Sequence, residues 1–162
     1  MIRKNMKKVV VIDTCVLRYA LEAEAGIKSN KTRKKLLKTL LDILKWENIV
    51  VVFNTETIRE HSKHIEVIRR EIKSRSRINP SFKILRMLNK VRRKVPDKNF
   101  DFEFESNPVG RKDLHLLNSA KSGALQYKTT TALVITIAED VYRGKTAKNG
   151  EGVEIILKNL LE

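Results

Sequence analysis

Six acidic residues stand where an apolar run has just closed or a helical pattern has just opened. Asp13 follows Val9-Val10-Val11-Ile12, and Glu56 and Glu60 follow Ile49–Phe53 by way of Asn54-Thr55. Asp113 opens a helical pattern, and Glu139 and Asp140 trail Ala132–Thr136. Carboxylates gathered at one place repel one another, and a hard divalent cation, magnesium or manganese, is the natural neutraliser of an all-oxygen set. Such a cation activates water and steadies the attacking and leaving oxygens of a phosphodiester during in-line displacement. Taken singly, Glu56, Glu60 and Asp113 are ordinary, because acids in a first helical turn satisfy the helix dipole. Asp13 is different: a charge at the end of a β-branched run is costly to bury unless a cation or hydrogen-bond donors offset it.

The elements that would position these acids follow from periodicity. Val9–Ile12 reads as a strand buried on both faces, followed by helices over Leu17–Glu24, stopped by Gly26, and over Thr32–Trp46. Ile49–Phe53 is a second strand, with Asn54 and Thr55 available as the N-cap of a helix running from Glu56 towards Arg77. Asn79-Pro80 separates that helix from another over Ser81–Lys94, which Pro96 closes. Phe100, Phe102 and Phe104 alternate with acids, as in a short edge strand or extended loop with its Phe face packed down. A helix from near Lys112 keeps Asp113, Leu117, Ala120 and Ala124 on one face, before strands at Ala132–Thr136 and Gly152–Leu157. Strands alternating with helices predict one α/β domain over residues 1–162, a three-layer α/β/α fold with a mainly parallel four- to five-stranded sheet. In such sheets ligands bind beyond the carboxyl ends of the strands, where all six acids are expected.

The charge balance points to the partner. Lys and Arg number 34 against 19 Asp and Glu, a net charge of +15 that attracts polyanions, nucleic acid first. Arg69 to Lys94 holds eleven Lys and Arg against one acid, Glu71, a positive helical surface in which Arg69, Arg70, Lys73, Arg75, Arg77, Arg92 and Arg93 are candidate phosphate contacts. Cys15 is the sole cysteine, which excludes an internal disulfide and suits a reducing, cytoplasmic setting. The apolar run before Asp13 is too short for a signal or membrane span, so no membrane partner is expected.

Val10-Val11-Ile12-Asp13-Thr14-Cys15-Val16-Leu17 resembles the opening motif of PIN-domain nucleases, an apolar strand ending in Asp and then Thr. The helix with an acid near its start, the Asp113–Ala120 helix, the Leu133–Thr136 strand and the terminal strand follow in the family's order. The resemblance implies a magnesium- or manganese-dependent ribonuclease with Asp13, Glu60 and Asp113 as metal ligands, Glu56 competing with Glu60, and the Thr14 hydroxyl nearby. The family's fourth acid lies two residues after the Thr that ends the third strand; here Thr136 is followed by Ile137-Ala138 and only then by Glu139 and Asp140, so Asp140 reaches the metal only through a longer loop. It further implies either a toxin paired with a small antitoxin protein or an RNA-processing enzyme, and a homodimer. The alternative, drawn from the altered fourth acid and the charge, is a catalytically silent domain for RNA binding or ribonucleoprotein assembly.

Other features read blandly. His61, His64 and His115 lack a metal-binding pattern and read as surface or capping residues. Cys15 reads as a buried structural thiol, and Trp46 and the three Phe residues as core anchors.

Overall fold

The computed structural model describes residues 6–28, 30–76, 82–150 and 152–162, with the side chains of residues 75 and 76 excepted. The sheet has the strand order β3-β2-β1-β5-β7-β6-β4. Its strands are β1 (Lys8–Ile12), β2 (Ile49–Phe53), β3 (Arg92–Lys94), β4 (Glu103–Phe104), β5 (Thr131–Thr136), β6 (Thr146–Asn149) and β7 (Val153–Asn159). From β3 through β7 neighbouring strands pair in parallel, whereas β6 and β4 add antiparallel at one edge.

The helices are α1 (Thr14–Ala25), α2 (Lys31–Leu44), α3 (Thr55–Ser76), α4 (Lys83–Val91), α5 (Leu114–Tyr127) and α6 (Glu139–Tyr142). Alternation along the strands explains the layers. Val10 and Ile12 of β1 and Ile49 and Val51 of β2 join a core with Leu17, Leu36, Leu40, Ile68 and Leu88 from α1 to α4. Val9, Val11, Val50 and Val52 point the other way, onto Leu116, Leu117, Ala120 and Ala124 of α5. Both faces are covered, which is why Val9–Ile12 and Ile49–Phe53 are apolar throughout.

The seven strands among the described residues exceed the four or five that the sequence predicts. The two additions beyond five, RRK at β3 and TAKN at β6, are short and at or next to an edge, where no apolar run is needed to hold a strand. The Phe-rich segment does supply the β4 edge strand, and Phe102 and Phe104 pack against the second core. The helix expected to reach Lys94 ends instead at Val91, because Arg92 turns extended and β3 pairs with β2. Val95 donates to Phe53 at 3.0 Å, and the proline after it disfavours helix at this position. The expected break at Asn79-Pro80, with Ser81, lies outside the described residues.

Helix α5 sits very close to the sheet. A Cβ built on Gly123 would meet Val52 Cγ2 at 2.8 Å and Val9 Cγ1 at 2.9 Å, so the missing side chain sets the distance between layers. Gly123→Ala is therefore expected to destabilise by about 1–3 kcal/mol through overpacking, despite alanine's better helix propensity. Urea unfolding checks it; a neutral or stabilising alanine would mean that the layers shift freely.

Candidate active site

The chain leaves β1 for β2 on one side and later returns to β5 on the other, so the strand order reverses between β1 and β5. Crevices at such switch points lie beyond the carboxyl ends of the strands. Asp13 is at that place. It occupies the N-cap position of α1, in extended conformation, yet its side chain makes no capping bond. Its Oδ2 instead accepts from the Thr136 hydroxyl at 2.7 Å, and its amide donates to Ile135 O at 3.0 Å, tying the ends of β1 and β5 together. The ordinary explanation of an acid before a helix, a cap, does not apply. Asp13 is 8 % exposed. Thr136 Oγ1 also accepts from the Ala138 amide at 3.0 Å, which fixes the loop leading to Asp140.

Asp13, Asp113 and Asp140 line one open cleft of about 460 Å³ with Thr14 and Cys15. Asp113 ends a 3-10 turn, Arg111–Asp113, and precedes α5, again without a side-chain capping bond. Burial holds its carboxyl above the usual range, and the negative charges of Asp13 and Glu60 push the same way against Lys112 and His115. Asp140, in α6, is the outermost, its Oδ2 4.0 Å from Lys112 Nζ. The late fourth acid therefore does return to the cleft, at its exposed side.

Glu60 comes in from α3 one turn beyond Glu56. Its Oε2 accepts from the Thr14 hydroxyl at 3.4 Å and lies 3.4 Å from His115 Nε2. His115 is locked by a buried chain of bonds. Its Nδ1 is 2.8 Å from Thr57 Oγ1, which also lies 3.0 Å from Asn54 Oδ1 and 3.1 Å from Ser119 Oγ. Its other ring nitrogen, Nε2, faces the Glu60 carboxylate. Ligand atoms of Glu56, Glu60 and His115 lie within 4.8 Å of one another. Glu56 is exposed, whereas Glu60 bonds to the hydroxyl of Thr14, the residue after Asp13.

Two further groups shape the cleft. The Cys15 thiol is pushed up to about 12 by burial and by the charge of Asp13, so it stays protonated and is no nucleophile. Arg18, Lys28 and Arg33 line the cleft around Glu22, a buried acid of α1. No family model, curated protein or solved structure matches the chain. The functional assignment rests on the residues themselves.

Several expectations are corrected. His61 and His115 are not surface or capping residues: they are 2 % and 4 % exposed, and His61 Nε2 donates to Ile12 O at 2.8 Å, just before Asp13. His64 is half-buried, with Nδ1 3.2 Å from an Arg18 nitrogen. Trp46 is no core anchor; it is 37 % exposed with Lys8 Nζ 5.7 Å from its ring centre. Cys15 is half-buried, packed against the first core while also lining the cleft.

Of the basic stretch, Arg69, Arg70 and Lys73 are exposed on α3, and Arg70 pairs with Glu66 at 3.3 Å. Arg92 lies over the Phe53 ring at 5.2 Å, and Arg93 hydrogen-bonds to the carbonyls of Lys90 and Arg92. Arg77 lies outside the described residues, as does the side chain of Arg75. None of the described members lines the cleft. The cations that do, Arg18, Lys28, Arg33 and Lys112, are the residues that sequence reasoning missed. A signal existed for one pair: Arg18 and Glu22 stand at i,i+4 in a mostly apolar helix.

Proposed function

We propose that this protein is a metal-dependent endoribonuclease of the PIN type, with Asp13, Asp113, Glu60 and Asp140 as the carboxylates that hold magnesium or manganese. One observation carries the reading: Asp13 stands in a capping position without capping, is fixed by Thr136, and opens on the cleft that Asp113 and Asp140 also line. The donor set fits a hard cation. It is all carboxylate and hydroxyl oxygen, and the acids already repel, since Asp13 and Glu60 both hold the Asp113 carboxyl up. When bound, the cation would supply an activated water and charge neutralisation at the phosphate.

The chain's own residues do the positioning. Thr136 orients Asp13, while Thr14 and His115 hold Glu60 from two sides. Lys112 stands beside Asp140 at the mouth, where it can meet a phosphate oxygen. RNA rather than DNA as substrate rests on the family resemblance, and the charge of +15 accounts for phosphate affinity of either kind. A small antitoxin partner, an RNA-processing role and a homodimer belong to the same resemblance. Among the described residues no helix is long and apolar enough to cross a membrane.

Metal occupancy is testable apart from turnover. Manganese is expected to raise the melting temperature of the wild type, since a ligand that binds only the folded state stabilises it, and to leave Asp113→Asn unmoved. His115→Phe, which removes a support of Glu60, should weaken manganese binding by about tenfold, the usual scale for a partner of a ligand. No manganese effect on the wild type would favour the silent RNA-binding reading. The observation on that side is the pairing of Asp140 with Lys112 at the solvent edge.

A further inference from the structure

We propose that Arg18, Lys28 and Arg33, gathered around Glu22, form a phosphate subsite that seats the strand beside the carboxylates. That it takes the phosphate neighbouring the hydrolysed one rests on the nuclease reading; that it binds phosphate does not.

Glu22 is 2 % exposed, and three cations converge on its carboxylate: Arg18 Nε at 3.8 Å, Lys28 Nζ at 3.9 Å and Arg33 Nε at 3.7 Å. They come from α1, from the turn after it and from α2. One buried anion therefore draws three flexible cations to one spot and leaves them a surplus of positive charge. Arg33 Nε and Glu22 Oε1 are buried and, 3.7 Å apart, make no hydrogen bond among the described residues, so their pairing is electrostatic rather than hydrogen-bonded. Stacking of the Arg33 guanidinium at 4.1 Å over the Tyr19 ring further restrains it. Arginine held in this way suits a phosphate, whose oxygens match its forked donors.

Placement supplies the rest. Arg18, Lys28, Arg33 and Tyr19 line the same cleft as Asp13, Asp113 and Asp140. Along α1, Arg18 and Glu22 lie about 8 and 14 Å beyond Asp13 by helical rise. By contrast, Arg69 and Lys73 lie about 14 to 20 Å beyond Glu60 along α3 and do not line the cleft. The strand is therefore gripped on the α1–α2 side, and the α3 basic residues serve general attraction.

The test is equilibrium binding of a short single-stranded oligoribonucleotide in EDTA, followed against salt. Arg18→Gln with Arg33→Gln is expected to weaken binding about tenfold or more and to reduce the slope of log affinity against log salt by about 0.7, one phosphate contact on a single strand. Arg69→Gln with Arg70→Gln should change affinity less. Because the glutamine pair disturbs Glu22, Arg18→Lys with Arg33→Lys provides a charge-conserving check. It should bind a few-fold weaker with the salt slope kept. Oligonucleotides ending in a 5′-hydroxyl or a 5′-phosphate separate the sources: equal losses assign a backbone phosphate, and a loss confined to the phosphorylated strand assigns a terminal one. Unchanged affinity and slope in the glutamine pair, with only a lower melting temperature, would overturn the proposal and leave a structural ion cluster. Cleft-dependent binding by a protein that never cleaves RNA would sink the nuclease reading and leave the subsite standing.

Discussion

Asp13→Asn is expected to lower RNA cleavage by about 10³-fold while circular dichroism stays that of the wild type. The asparagine keeps an oxygen for the Thr136 hydroxyl, and the backbone bonds of this residue to Ile135, Val16 and Leu17 do not involve the side chain. What is lost is the negative charge. A carboxylate that holds the metal supports a Lewis-acid contribution of several kcal/mol, and about 4 kcal/mol corresponds to 10³ in rate. Single-turnover cleavage with excess protein measures it. A variant within tenfold of the wild type would place the metal elsewhere.

The second large effect is on acid stability. His61 is buried between α3 and the end of β1, and its pKa is lowered to about 4, by burial first, against the help of its bond to Ile12 O and the charge of Asp13. A depressed histidine folds in its neutral form. Above pH 6.5 neither state binds the proton, and stability from this source is constant. Below 6.5 the unfolded chain takes up a proton that the folded one refuses, so stability falls until the pH reaches about 4. The fall amounts to about 3 kcal/mol. Asp113 works in the opposite sense, since its raised carboxyl gains from protonation in the folded state as the pH falls. Urea unfolding over that window should show the loss in the wild type and a loss smaller by about 3 kcal/mol in His61→Phe, which cannot titrate. Equal pH profiles for the two proteins would refute the assignment.

How much of this was legible in the sequence depended on whether a position is governed by neighbours along the chain or across it. The first strand and Asp13 were readable because a wholly β-branched run ending in a carboxylate has few other uses. The N-cap at Asn54 was readable because capping is local, and its Oδ1 does accept from the Thr57 amide at 3.0 Å. The strands β3 and β6 are hidden, since RRK and TAKN carry no apolar pattern and each forms only because a neighbouring strand offers a partner. His61 was misread although Thr57, His61 and Ile68 fall on the buried stripe of α3, a spacing that could have placed it inside. The Glu22 cluster was illegible for a different reason: Lys28 and Arg33 reach it only after α1 and α2 pack together. The dense basic run from Arg69 to Lys94 stands out by composition, while the cleft cations are scattered through the sequence.

The nuclease reading is tested most directly by incubating the purified protein with a mixture of structured and single-stranded RNAs in magnesium, in manganese and in EDTA. The expected result is internal cleavage in either metal and none in EDTA. Tight, salt-sensitive binding with no cleavage in any of the three would contradict it and leave a silent RNA-binding domain in its place.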